Sequence, residues 1–218
     1  MGRPSMSPEV IRTNKVNIIS AARKMIRSDG IQSVSARSLG SSVGMNSALI
    51  YRYFEDIDDV ILFACMHALR EYADEMSKAA EPDTLSEVDL YLLTWDIFSK
   101  HAFNNPDEFN TLFFSRHSAQ LPAKIKAYIE LFPEEVANKN NLIVQAMLSS
   151  SSLRERNLIV LIPVLEQKVP DDKIILINDM TVSYFYALLT QLLGHDQGVT
   201  AEYQTQRMLT AVRFIIGL

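Results

Sequence analysis

Residues 30–54 leave the chain little freedom, because they pair two short apolar periods with helix caps and a glycine between them. Ser35 is placed to N-cap a first helix whose apolar positions are Leu39 and Val43, Gly44 breaks it, and Asn46 caps a second helix from about Ser47. In the second helix Ile50 and Phe54 stand four apart on the buried side, leaving Ser47, Ala48, Tyr51 and Arg52 outward. Two short helices joined by a glycine turn form a helix-turn-helix, whose second helix enters the major groove of DNA.

The charge is divided accordingly. Up to Phe54 the chain carries eight Lys and Arg against Glu9 and Asp29, a net +6, which leaves −11 for the remainder of a chain whose total is −5. A basic N-terminal quarter on an acidic body is a local electrostatic footprint for phosphates.

These residues resemble the TetR family of bacterial transcriptional repressors. The resemblance begins at Ile18-Ile19-Ser20-Ala21-Ala22-Arg23-Lys24-Met25-Ile26, continues through Gly30 and runs from Ser35 to the Gly44, Tyr51, Phe54 ending, about the first quarter of the chain. It implies an all-α homodimer with an N-terminal three-helix DNA-binding domain and a C-terminal helical domain for effector binding and dimerisation. On this basis the domains are 1–55, with a basic N-terminal arm, and 56–218, with helix 4 as linker. Carried over residue by residue, it implies DNA contacts from Ser35, Arg37, Ser47, Ala48, Leu49, Tyr51 and Tyr53; the cap Asn46, the outward Arg52 and Arg3 of the basic arm are added as candidates from the pattern itself. Tyr51 and Tyr53 would bond phosphates, and Arg37, Ser47, Ala48 and Leu49 would approach base edges. Two positions depart from the family pattern. Gly40 replaces the usual Ala, at a cost of about 1 kcal/mol to its helix, and Ile57 replaces a phosphate-holding Lys, among Glu55, Asp56, Asp58 and Asp59.

Composition sets outer bounds. The length of 218 residues suits one or two helical domains. Cys65 is alone, so no intrachain disulfide forms. The first residues carry no apolar signal region, and the longest apolar runs are far shorter than a membrane span. A cytoplasmic protein without membrane association is expected.

Along the chain, helix 1 is expected from Ser7-Pro8 to Asp29, and helix 4 from a cap at Asp56 to about residue 79. Glu81-Pro82-Asp83 reads as a break, and Thr84-Leu85-Ser86-Glu87 as a capping box opening the next helix. Further helices are expected at 106–117, 122–131 and 133–149, with an apolar segment kinked at Pro163 and two apolar helices at 171–194 and 200–216. The last two are apolar on more than one face. Phe185, Leu188, Leu192, Met208, Val212, Ile215 and Ile216 are therefore expected at a dimer interface.

Three patterns raise other chemistry. Gly40-Ser41-Ser42-Val43-Gly44 fits the G-x-S-x-G elbow of hydrolases, but no strand pattern precedes Ser42. Asp56-Ile57-Asp58-Asp59 fits an acid motif of some terpenoid cyclases, although carboxylates opening a helix are stabilised by its dipole without catalysis. His67, Glu71, Asp74 and Glu75 share two turns of helix 4, yet no Cys/His spacing supplies further ligands, so neither metal nor cofactor is expected. The aromatic middle of the chain either fills a core or lines a cavity, which periodicity does not distinguish. With the family resemblance, Phe63, His67, Trp95, Phe98, Phe113 and Met147 become the candidate wall of a pocket for an apolar or aromatic effector. The expected function is a regulator that binds a palindromic operator and is released by a small molecule. The alternative from another class is an all-helical enzyme acting on an apolar molecule, with a vestigial helix-turn-helix.

Overall fold

In the N-terminal segment, helices begin and end where a side chain or a glycine can satisfy the backbone. The computed structural model describes residues 7–79, 85–135 and 142–217, so Arg3 and the Glu81-Pro82-Asp83 break lie outside the described residues. Helix α1 (Pro8–Asp29) starts with the Ser7 hydroxyl accepting from the Val10 amide and Pro8 at its first position, and stops at Gly30, whose φ is 80°. Helix α2 (Ala36–Val43) opens on a reciprocal pair, in which Ser35 and Ser38 each accept from the other's amide, at 3.1 and 2.9 Å. Gly44 closes α2 in the left-handed region at φ 69°.

Helix α3 (Ser47–Ile50) is capped by Asn46 but lasts a single turn, shorter than the sequence pattern predicts. Tyr51 to Phe54 continue as turns. The Phe54 amide still donates to the Ile50 carbonyl at 3.2 Å, so Ile50 and Phe54 keep helical spacing and are both buried.

Gly40 has a positive reason to be glycine. A Cβ there would lie 2.6 Å from the Met45 carbonyl oxygen, where α2 meets the turn to α3. The Ala usual in the family does not fit this backbone, so the sequence departure belongs to the packing of this turn.

Helix α4 (Ile57–Ala79) begins as a cap. The Asp59 amide donates to the Asp56 carboxylate at 2.8 Å, the Glu55 amide donates to the Asp59 carboxylate at 3.2 Å, and buried Asp59 pairs with Lys124 at 2.8 Å. The remaining helices are α5 (Glu87–Asn104), α6 (Pro106–Phe114), α7 (Leu121–Leu131), α8 (Leu142–Ser149), α9 (Leu153–Leu165), α10 (Asp171–Leu193) and α11 (Ala201–Ile215). The fold is all-α, with no strand among the described residues. Helix α5 is capped by Ser86, whose hydroxyl accepts from Asp89, so the motif starts two residues later than expected. Of the helix expected over 133–149, Pro133–Glu135 are a short 3-10 turn and Leu142–Ser149 form α8, while 136–141 lie outside the described residues. Helix α9 runs past Pro163 to Leu165. None of the described helices is long and apolar enough to cross a membrane.

The chain forms two units that divide inside α4, after His67 rather than at its start, and the first unit also takes in Ala123–Glu135. Cations of α1 explain that return. Arg23 pairs with Glu135 at 2.9 Å, donates to the Tyr128 hydroxyl at 2.6 Å and lies over the Phe132 ring at 5.3 Å, while Arg12 donates to the Leu131 carbonyl at 2.9 Å. Tyr128 in turn donates to Glu135. Burial raises the Glu135 carboxyl, but the Tyr128 hydroxyl and the Arg23 guanidinium outweigh it and hold that group below the ordinary glutamate value.

The second unit is built on aromatic contacts around Phe98, which meets Tyr72 at 5.4 Å, Trp95 at 5.8 Å, Phe113 at 5.5 Å and Phe185 at 5.1 Å between ring centroids. A buried polar relay crosses this core: the Trp95 indole donates to Asn157 at 3.0 Å, and Asn157 donates to Asn178 at 2.9 Å. Helix α11 packs on α5, and α10 on α9 and α11. This corrects the expected dimer residues. Phe185, Leu188, Met208 and Val212 are fully buried within the protomer, with Leu192, Ile215 and Ile216 half-buried, so the four cannot offer surface to a partner.

Two expectations for stability follow from these contacts. Gly40→Ala should destabilise by about 1–3 kcal/mol despite alanine's better helix propensity, because the clash is with backbone; urea unfolding reads it, and a stabilised variant would contradict the close approach. Glu135→Gln should cost about 1–2 kcal/mol at neutral pH by leaving Arg23 without its counter-charge. Since the folded-state pKa is lowered, that contribution is present above the ordinary glutamate range and is lost as pH falls through the folded value. Wild type and variant should therefore converge in acid.

Candidate DNA interface and ligand cavity

The face formed by α2 and α3 is held from beneath by Leu39, Ile50 and Phe54, all buried, and from its ends by the Ser35 and Asn46 caps. Above that support Ser35, Arg37, Asn46, Ser47, Ala48, Tyr51 and Arg52 are exposed, and Leu49 is half-buried. Tyr51 is the most prominent apolar group, at 54% exposure. The face presents two guanidinium groups, a phenol, and small side chains that let the backbone approach closely.

Tyr53 is placed differently from the sequence expectation. Its side chain is only 8% exposed and its hydroxyl accepts from the Asn14 amide at 2.8 Å, so it fastens the end of the motif to α1. The cations are also divided more finely than their count suggests. Arg12 and Arg23 are turned onto the 128–135 segment, and Lys15 lies over the Phe54 ring at 5.7 Å. Arg37 and Arg52 remain exposed on the α2–α3 face.

The Gly40–Gly44 stretch is α2 and its cap, and the Ser42 hydroxyl donates to the Leu39 carbonyl at 2.9 Å. The acidic groups of α4 are engaged in pairs: Asp74 with Arg70 at 3.2 Å and Glu75 with His101 at 2.7 Å. His67 stands 3.6 Å from the Glu135 carboxylate.

In the second unit one cavity is lined by Tyr72, Thr94, Trp95, Phe98, Phe113, Met147, Leu153, Arg156 and Asn157. About 350 Å³ lies between these side chains, counting the part open to solvent. The portion that clears every wall by a water radius holds little more than one water, so a ligand must displace side chains on entry. Met147, unbranched and contacted by the Tyr72 hydroxyl at 3.8 Å through sulfur, is suited to such repacking.

Trp95, Phe98, Phe113 and Met147 of the six expected pocket residues meet at this cavity. Phe63 and His67 do not. Phe63 packs edge-on against Phe54 at 5.8 Å and His67 faces Glu135, both within the first unit. Sequence reasoning passed over Tyr72, Thr94, Leu153, Arg156 and Asn157. A signal for two of them exists: Leu153, Arg156, Asn157, Val160, Leu161 and Val164 follow the i, i+3, i+4, i+7 buried stripe of α9, so Arg156 and Asn157 are polar residues at core positions.

Comparison with known proteins agrees with both units. Residues 18–62 match the family described as bacterial regulatory proteins, tetR family. A curated relative, the HTH-type transcriptional regulator HbdR of Aromatoleum sp. (strain CIB), is 27% identical over 74 residues, 34% of this chain and 32% of that protein. The match thus spans about a third of the relative's length. Over nearly the whole chain the fold is similar to that of Thermus thermophilus FadR, a TetR-family transcriptional repressor solved in complex with lauroyl-CoA, with a TM-score of 0.58, 14% identity and coverage of 91% and 92% of the two chains. It is also similar to the TetR-family regulator PfmR from Thermus thermophilus, with a TM-score of 0.51, 15% identity and coverage of 92% and 97%. Residues 18–62 thus carry the segment by which the tetR family of bacterial regulatory proteins is matched, on a helical fold similar over nearly the whole chain to TetR-family regulators.

Proposed function

We propose that this protein is a homodimeric repressor that binds a palindromic operator through α2 and α3 and leaves it when a small apolar molecule enters the cavity of the second unit. The observation that carries the reading is the α2–α3 face, in which buried Leu39, Ile50 and Phe54 hold exposed Arg37, Ser47, Tyr51 and Arg52 in one place. Arg37 is assigned to base edges, Tyr51 and Arg52 to phosphates, and Ser47 and Ala48 to close approach. Leu49 offers no hydrogen bond, and contact with a thymine methyl is its part in readout. The aromatic cavity supports an effector, as does the lauroyl-CoA held by the similarly folded FadR.

Helix α4 is the element assigned to coupling. It carries Phe63, packed on Phe54 in the first unit, and beyond the division it carries Tyr72, a wall of the cavity. A ligand that moves Tyr72 acts on the same helix that seats the DNA-binding motif. By linkage, the operator must weaken effector binding by the factor by which the effector weakens operator binding.

The dimer is assigned to the apolar surface that α10 and α11 leave uncovered. Leu176, Met180 and Tyr184 recur along one face of α10, and Tyr203, Thr210 and Phe214 along α11, with Arg207 lying over both tyrosine rings, Tyr184 at 6.0 Å and Tyr203 at 5.6 Å. Phe214 is 82% exposed, which a lone protomer has no reason to hold.

Selection of bound duplexes from a random pool should return a palindrome with half-site centres about 34–36 Å apart or a multiple of that spacing; recovery of no sequence preference would remove the operator reading. On the selected duplex, Tyr51→Phe should weaken binding evenly across sequence variants, whereas Arg37→Ala should lose about 1–3 kcal/mol at particular positions only. Fluorescence anisotropy reads both, and unchanged behaviour in both variants would contradict the assignment. For the dimer, Phe214→Asp should sediment as a folded monomer with weakened duplex binding, while Leu188→Asp should fail to fold because its site is closed within the protomer.

A further inference from the structure

The cavity contains a buried cation that no carboxylate contacts as an ion pair among the described residues. Arg156 is 4% exposed, and its side chain makes a hydrogen bond from Nη2 to the Ser150 carbonyl at 3.0 Å and lies over the Phe113 ring at 5.0 Å. Its Nε is buried with no hydrogen-bond partner. The adjacent Glu155 attracts it electrostatically but does not pair with it, since that carboxylate is exposed and accepts from the Ser151 amide at 2.7 Å and the Ser151 hydroxyl at 2.8 Å. Among the described residues no acidic side chain lines the cavity and none is within ion-pair distance of Arg156.

A guanidinium taken out of water with one neutral carbonyl and one ring face remains costly, because burial of charge is offset only by an opposite charge or a full set of acceptors. Burial pushes the Arg156 pKa down to about 10, which leaves the side chain cationic at neutral pH. Around it the wall is of two kinds. Trp95, Phe98, Phe113, Met147 and Leu153 are apolar, and the Tyr72 hydroxyl has only the Met147 sulfur, a weak acceptor, at 3.8 Å. An occupant with an apolar body and one anionic oxygen pair would satisfy both kinds of wall.

We infer that the cavity is a carboxylate site, in which the guanidinium of Arg156 and the hydroxyl of Tyr72 bind the anionic head of a compact monocarboxylic acid and the aromatic wall takes its hydrocarbon body. The inference rests on the reading of this cavity as the effector site and gives the effector's chemical class. Two charge-assisted hydrogen bonds from a planar guanidinium distinguish a carboxylate from an amide or alcohol of the same shape. The free acid, rather than a thioester of it, is the species that presents that charge at the end of the hydrocarbon.

The test is titration calorimetry of the full-length protein with matched pairs: octanoate against octanamide, and 3-phenylpropionate against 3-phenylpropanamide. At least one acid should bind ten-fold or more tightly than its amide. Arg156→Met should abolish that preference, and Tyr72→Phe should reduce it several-fold. Equal binding of acid and amide, no binding of either acid at millimolar concentration, or a preference that survives Arg156→Met would each overturn the inference. The acid–amide comparison is made on the unmodified protein, so it stands even where Arg156→Met does not fold. The same acids are then added to the complex with the selected duplex. An acid that binds Arg156 without releasing DNA retains the carboxylate site and removes the effector role, while equal binding of acid and amide by a protein that still holds its duplex removes only the carboxylate site.

Discussion

The hydrogen-bond relay from Trp95 through Asn157 to Asn178 is the constraint on which the second unit depends, because it fixes the rotation of three helices at once. Aromatic contacts alone would tolerate α5, α9 and α10 in several rotational settings, since apolar surfaces are non-directional. Buried amides are not so permissive: a rotation that breaks either bond leaves unpaired polar groups in a dry core. Fixing Asn157 also fixes Arg156, its neighbour on the same stripe of α9, and thereby sets a cation at the cavity wall.

The same logic explains why the last two helices keep their most apolar residues inside the protomer. Helix α11 packs on α5, and Phe185 of α10 is placed among Trp95, Phe98 and Phe103, so the strongest apolar stripe is consumed in building the wall behind the cavity. What remains outside is a weaker mixture of Leu176, Met180, Tyr184, Tyr203 and Phe214. Such a surface is rich in aromatic groups yet still tolerable to water, which is the composition that associating surfaces favour.

How much was legible follows from how local each feature is. The helix-turn-helix could be read because its determinants lie within four residues of what they control: Ser35 for α2, Gly44 for its end, Asn46 for α3. The start of α4 was legible at Asp56 for the same reason. The return of residues 123–135 to the first unit was not, since it rests on Arg23 meeting Tyr128 and Glu135 more than a hundred positions away. Nor was the division of the cavity wall. Phe63 and Phe98 read alike in a helical pattern, and only tertiary packing sends one to Phe54 and the other to Phe185. For α10 and α11 the period was legible but not what covers it, because an apolar stripe does not say whether its own chain or another will bury Phe185, Leu188, Met208 and Val212.

The engagement of Arg12, Arg23 and Lys15 with other parts of the first unit bears on how that unit could recognise DNA. A net positive segment suggests attraction spread over many phosphates, but a guanidinium paired with Glu135 contributes little field beyond its partner. The exposed cations of the α2–α3 face are then few, Arg37 and Arg52, so the face has little long-range charge to orient a partner and relies on short-ranged contacts that fall off with small displacements. A reader built this way depends strongly on where α2 and α3 are held. Phe54 against Phe63 is one of the contacts that hold them, with Tyr53 on Asn14 and Lys15 over the Phe54 ring, so α4 and α1 both bear on where the α2–α3 face stands.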